Sequence, residues 1–224
     1  MMNQPNEIEA CRVGLAGLLP AGQSFAVAAV SDRLDTEWPQ DAVHLLQAAA
    51  HRRAEFSSGR ACARHALAQL GVADCALPAD AAGVPQWPAG YLASISHSRG
   101  LVAAVAGSTK QLQCLGLDLE QTQRLSQAAI ARVVHPDEAG WVGQSTLRAS
   151  LLFSAKEAFY KAQYPRWSTA ANFSDICFSV DEQSCKLKIV WLAERFAPDL
   201  HAQAASMQLR YAYFGRYVVS LCWL

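Results

Sequence analysis

The sequence predicts an α+β fold built as two pseudo-symmetric halves, residues 1–112 and 113–224, each a helix packed on a mainly antiparallel sheet. Three observations predict it. Segments 53–70 and 145–163 carry Ala, Leu and Phe at helical spacing, and each precedes paired apolar runs of strand length. This order of helix and hairpin strands occurs once before about residue 112 and once after it, as a pattern rather than as residue identity. Finally, 52% of the 224 residues are hydrophobic and 17% charged, which suffices for one sizeable core or two small ones.

Taken in order, residues 13–30 carry no charge, but Pro20, Gly22, Gln23 and Ser24 interrupt them and Glu7 and Glu9 precede them. They read as a loop entering a strand at 24–30, and neither as a membrane span nor as a secretion signal. A polar connection at 31–39 leads to helices at 41–50 and 53–70, with Gly71 as the left-handed stop. On the second helix Arg53, Ser57, Arg60 and Arg64 fall along one stripe. A Pro- and Gly-rich loop at 78–90 precedes strands at 92–97 and 101–106, joined by a turn at Ser98, Arg99 and Gly100, and a third strand at 114–120. Short helices at 126–134 and 137–142 lead to a longer helix capped by Ser145. Strands at 176–180, 187–192, 209–214 and 217–223 complete an antiparallel sheet.

Several classes of function are disfavoured. Lys plus Arg and Asp plus Glu both number 19, so no global field favours nucleic acid or an anionic membrane. The seven cysteines (Cys11, Cys62, Cys75, Cys114, Cys177, Cys185 and Cys222) contain no C-x-x-C pair and no His at zinc-site spacing. They read as reduced structural thiols in the cytoplasm. Neither a P-loop nor a G-x-G-x-x-G fingerprint is present.

Four groups of residues carry possible chemistry. Asp118 and Glu120, two apart in an apolar strand, send both carboxylates to one face. Such oxygens suit Mg²⁺, which completes its octahedron with water and phosphate; a solvated strand end running into Gln121 and Thr122 explains the same string. Glu157 and Lys161 stand one helical turn apart, a spacing that ordinary surface ion pairs share. Ser96 and His97 end a strand. Neighbours there face opposite ways, and no G-x-S-x-G elbow is present, so contacts to phosphate suit them better than a hydrolase dyad; a histidine satisfied by turn backbone is the other reading. Arg53, Arg60 and Arg64 suit bidentate phosphate binding or a solvated helix face.

The joint order of motifs decides between these alternatives. R-x-x-E-F-x-x-G-R from Arg52, G-x-P-x-W-P from Gly83, S-I-S-H-S from Ser94, G-L-D-L-E from Gly116 and F-S-A-K-E-A-F-Y-K from Phe153 follow one another. Over residues 52–161 the chain resembles the 4′-phosphopantetheinyl transferases that serve siderophore and other peptide synthetases, those similar to enterobactin synthetase component D. The resemblance implies a single-chain pseudodimer with coenzyme A and the active site at the interface of its halves. It makes Asp118, Glu120 and Glu157 the acidic magnesium cluster. It assigns Arg53 and Arg60 to the nucleotide end of coenzyme A, Ser96 and His97 to the phosphates, and Lys156 and Lys161 to the helix along them. Glu138 falls where relatives carry another acidic residue. Val84 replaces a basic residue of the G-x-P loop, and Ala93 a glycine, with Arg53, Arg60 and Arg64 the candidates to compensate.

The implied reaction moves phosphopantetheine from coenzyme A to a serine of an apo carrier protein, releasing 3′,5′-ADP, with Mg²⁺ bridging the phosphates and with His97, Lys161 and Glu157 at the reacting groups. Glu157 serves as metal ligand or as base. Expected partners are coenzyme A and a carrier domain of a peptide, polyketide or fatty-acid synthase; nucleic acid and membrane are not expected, and the protein reads as a monomer. Carrier helices are usually acidic, so Arg124, Arg148 and Arg166 are candidate contacts. A non-catalytic coenzyme A or carrier binding module and a Ser96 hydrolase are the rivals.

Overall fold

Cys11, Leu15 and Leu18 recur at helical spacing and lie buried on one side of helix α1 (Gln4–Leu18). The helix packs on strand β1 (Ser24–Ala29). This corrects the expectation of a loop before the first strand: Gly14 and Gly17 weaken the local helical signal, and only burial against β1 makes the short apolar stripe sufficient. The computed structural model describes residues 4–31, 38, 41 and 48–224. The helix expected over 41–50 lies largely outside them.

The described chain divides into two compact units, Met1–Leu112 and Gln113–Leu224. In the first, α2 (Ala50–Ala68) precedes β2 (Tyr91–Ser98) and β3 (Leu101–Ser108), which form an antiparallel hairpin. Its turn residues Arg99 and Gly100 both have positive φ, 48° and 87°, the twist that a two-residue hairpin needs. The sheet order is β1-β3-β2, so β1 pairs with β3 across a long connection. Cys62, Ala63, Ala66 and Leu67 of α2 pack on Val102, Ala104 and Ala106. Small residues bring helix and sheet close: a Cβ at Gly59 would stand 2.9 Å from the side chain of Ile95.

In the second unit β4 (Leu115–Gln121) is followed by α3 (Gln127–Val133), a 3-10 turn (Pro136–Glu138), α4 (Ala139–Val142) and α5 (Thr146–Trp167). Then come β5 (Ile176–Asp181), β6 (Lys186–Leu192), α6 (Pro198–Ser206), β7 (Gln208–Phe214) and β8 (Tyr217–Trp223). The five-stranded sheet is antiparallel in the order β4-β8-β7-β6-β5. Ser145 caps α5, its hydroxyl accepting from the Arg148 N–H at 3.2 Å. The helix passes Pro165 and stops at Ser168, whose φ is 51°. It packs on β4 and β8, burying Leu152, Ala155, Ala158 and Phe159. Helix α6, absent from the sequence expectations, starts at Pro198 and packs on β6.

Candidate active site

Gly116, Asp118 and Glu120 alternate along β4 and so share one face. That face meets α5 closely. A Cβ at Gly116 would overlap the Ala158 carbonyl oxygen and stand 2.6 Å from the Ala162 nitrogen. Ala158 and Ala162 are themselves small, so the helix axis settles low over the strand, and the two side chains beside them, Glu157 and Lys161, come level with Asp118.

The charges confirm the contact. Lys161 Nζ donates to Asp118 Oδ1 at 2.7 Å, and the Asp118 side chain is 8% exposed. Burial and the neighbouring carboxylates of Asp118 and Glu120 push the Glu157 carboxyl above the usual range, with Lys161 opposing them. Glu120 is held at the strand end: its Oε1 accepts from the Gln121 N–H at 2.7 Å and faces Arg124 Nη1 at 3.5 Å. The three carboxylates thus share one neighbourhood without closing on a common point. Among the described residues, the three such side chains whose ligand atoms lie within 4.8 Å of one another are His135, Asp137 and Cys177. There the imidazole accepts the Asp137 N–H as a helix cap, and burial holds the Cys177 thiol up at about 11, so that set is a poor metal site. A cavity of about 360 Å³ opens beside Glu157, lined also by Arg132, Tyr160, Asn172 and Phe173.

In the first unit, His97 shares a face of β2 with Ile95 and meets α2. Its Nε2 lies 3.0 Å from Arg52 Nη1 and its Nδ1 3.4 Å from Glu55 Oε1. Arginine can only donate, so Nε2 accepts and Nδ1 carries the proton toward Glu55. Ser96 is buried on the opposite face, which rules out a Ser96–His97 dyad. Arg60 is 4% exposed, its guanidinium 4.5 Å from the Phe56 ring centre and 5.8 Å from that of Trp87. The buried Nε has no hydrogen-bond partner among the described residues, and burial lowers the guanidinium to about 10, still charged at neutral pH.

Residues 38–107 match the 4′-phosphopantetheinyl transferase N-terminal domain, and residues 114–222 match the 4′-phosphopantetheinyl transferase superfamily. The transferase Svp of Streptomyces mobaraensis is 33% identical over 75% of this chain and 72% of its own. The chain belongs to the 4′-phosphopantetheinyl transferases. PptT of Mycobacterium tuberculosis is 35% identical over 65% of this chain and 67% of its own. Enterobactin synthase component D of Salmonella typhi is 33% identical over 57% of this chain and 55% of its own.

Within this transferase, geometry redistributes several of the expected roles. Arg64 is a structural residue: its Nη1 donates to Asp41 Oδ2 at 2.6 Å, and Asp41 also holds the Leu77 N–H at 2.7 Å. Arg53 donates to the Ala48 carbonyl, and the guanidinium beside His97 is that of Arg52. The signal was available, because the R-x-x-E-F-x-x-G-R motif begins at Arg52 and contains Glu55. Of the three arginines named to compensate for Val84, Arg60 alone lacks a carboxylate or carbonyl partner among the described residues. Lys156 spends its three donors inside the protein, on Glu138 Oε2 at 2.7 Å, Val133 O at 2.8 Å and Phe173 O at 3.0 Å. Burial lowers its pKa and Glu138 opposes this. Such an ammonium has no donor left for a phosphate. Of the surface arginines, Arg124 faces Glu120, Arg148 binds Glu182 and the Trp141 carbonyl, and Arg166 binds Gln203.

Proposed function

We propose that this transferase carries out its reaction at Asp118, Glu120, Glu157 and Lys161, with Mg²⁺ as the metal. The observation that carries the reading is Glu157: a half-buried carboxyl, raised by its burial and by two neighbouring carboxylates and tempered by one lysine, stands in an anionic neighbourhood that a hard divalent cation would relieve. All three donors are carboxylate oxygens on two rigid elements, a set that fits Mg²⁺. When bound, the ion supplies charge neutralisation to the pyrophosphate of coenzyme A.

The protein's own groups do the rest. The carrier serine oxygen attacks the β-phosphorus, the bond to the bridging oxygen of 3′,5′-ADP breaks, and Glu157 takes the serine proton directly or through one water. A carboxyl with a raised pKa is better matched to that task than an ordinary one. Lys161, oriented by Asp118, sets an ammonium beside the phosphates, where a partly desolvated charge counts for more than in water. Arg60, with Arg52 and His97, supplies the cationic and hydrogen-bonding groups for the phosphates of the nucleotide end. Ser96, buried on the face of β2 opposite His97, stands apart from this set. We assign the protein to the cytoplasm as a monomer; among the described residues no helix is long and apolar enough to cross a membrane, and all seven cysteines are free.

The test incubates purified protein with coenzyme A, Mg²⁺ and apo carriers of peptide, polyketide and fatty-acid type, then weighs each carrier. One added phosphopantetheine, lost with EDTA and restored by Mg²⁺, is expected. Binding of coenzyme A without modification of any carrier would instead establish a binding module.

A further inference from the structure

Lys156 and Glu138 form an ion pair whose two side chains are each 1% exposed. All three ammonium donors are used, and both carboxylate oxygens accept. Besides Lys156, Glu138 Oε2 accepts the His135 N–H at 2.8 Å and Glu138 Oε1 accepts the Phe178 N–H at 2.8 Å. With the two carbonyls held by Lys156, the pair ties together the end of α3, the 3-10 turn, α5, the 173–175 turn and β5. Stability alone is a weak reason for such a device, because a buried ion pair can often be replaced by apolar side chains at little cost. Its position suggests another. Lys156 is the residue before Glu157, and it anchors α5 on the flank away from β4.

We propose that Glu138 and Lys156 are positioning residues, setting the rotation of α5 about its axis and so the approach of Glu157 and Lys161 to Asp118; this rests on the reading of the site given above. Side-chain heads ride roughly 5–6 Å from a helix axis, so a turn of about 20° moves them by about 2 Å. Displacements of about 1 Å already matter to a catalytic group. Gly116 fixes how near the helix lies, and the pair fixes which way it faces.

The experiment compares wild type with Lys156→Met, Glu138→Gln and the double variant, with Lys156→Arg as the conservative control. Four quantities are measured: thermal unfolding, amide exchange along α5, Mn²⁺ affinity by electron paramagnetic resonance, and kcat and KM in transfer. Each single variant is expected to weaken Mn²⁺ binding and kcat by roughly 10-fold or more, as loss of groups that orient metal ligands commonly does. The double variant should be no worse than the worse single one, because the two residues act as one unit. Exchange at residues 154–161 should quicken and KM for coenzyme A should change little, while Lys156→Arg should recover part of the loss. A rise in KM for coenzyme A confined to Lys156→Met would overturn the proposal in favour of direct phosphate contact. Unchanged Mn²⁺ affinity and unchanged α5 exchange in a folded double variant would overturn it outright. If a single variant does not fold, the double variant, which leaves no unpaired charge, decides. Should wild type modify no carrier, the functional reading fails, and amide exchange on α5 still judges the pair.

Discussion

At the scale of single residues, Asp118 acts on Lys161 and Glu157 in opposite ways. It pairs with the lysine at 2.7 Å and repels the glutamate. Asp118→Asn keeps an acceptor for Lys161 but removes the charge; transfer should fall roughly 100-fold or more, the scale of a lost electrostatic group, with the fold intact by circular dichroism. Glu157 carries a pH signature. Its folded pKa lies above the unfolded one, so the protonated carboxyl favours the folded state. That contribution is complete below the unfolded pKa and is lost as pH rises through the folded pKa. Glu157→Gln stays neutral throughout. Its Tm should therefore exceed wild type near about pH 8 and converge with it near about pH 4, while transfer is lost. A wild-type Tm equal to that of the variant across the whole range would remove the electrostatic argument for this site.

At the scale of elements, the contact between β4 and α5 is steric before it is electrostatic. Gly116→Ala puts a methyl into backbone that cannot step aside, so the helix must lift. A cost of about 1–3 kcal/mol is expected, seen as a lower Tm, with a drop in kcat larger than the loss of folded protein explains. Gly140 in α4 has nothing within 4 Å of its would-be Cβ, and Gly140→Ala should leave both quantities near wild type. Sequence periodicity revealed α5 and the hairpin β2–β3 because their signals are local: a capped apolar stripe, and two apolar runs around a tight turn. It missed α1 and α6, helices with weak stripes that burial against β1 and β6 completes.

At the scale of the whole molecule, the even balance of 19 basic and 19 acidic residues leaves no global field to steer a carrier protein. The thiols follow burial. Cys11 and Cys62 are pushed up to about 12, and Cys114 and Cys177 to about 11, whereas Cys185 is exposed in the β5–β6 hairpin. Brief alkylation of the native protein should add one group, at Cys185, with Cys75 following slowly; the intact mass and a peptide map check this. Rapid labelling of all seven would mean that the cores are not closed.

By itself the sequence determined the α+β class and the family, because alternation on a strand, spacing on a helix and the order of five motifs are properties of the chain as written. Only the tertiary structure decided which charges are available. Arg64 and Lys156 read as phosphate ligands in sequence, yet Asp41, Glu138 and main-chain carbonyls distant along the chain consume them. Arg52, which opens the first motif and carried no assigned role, stands against His97. A side chain's type is written locally, but its partner is chosen by packing between segments far apart in sequence, and a buried charge goes to whichever partner satisfies it.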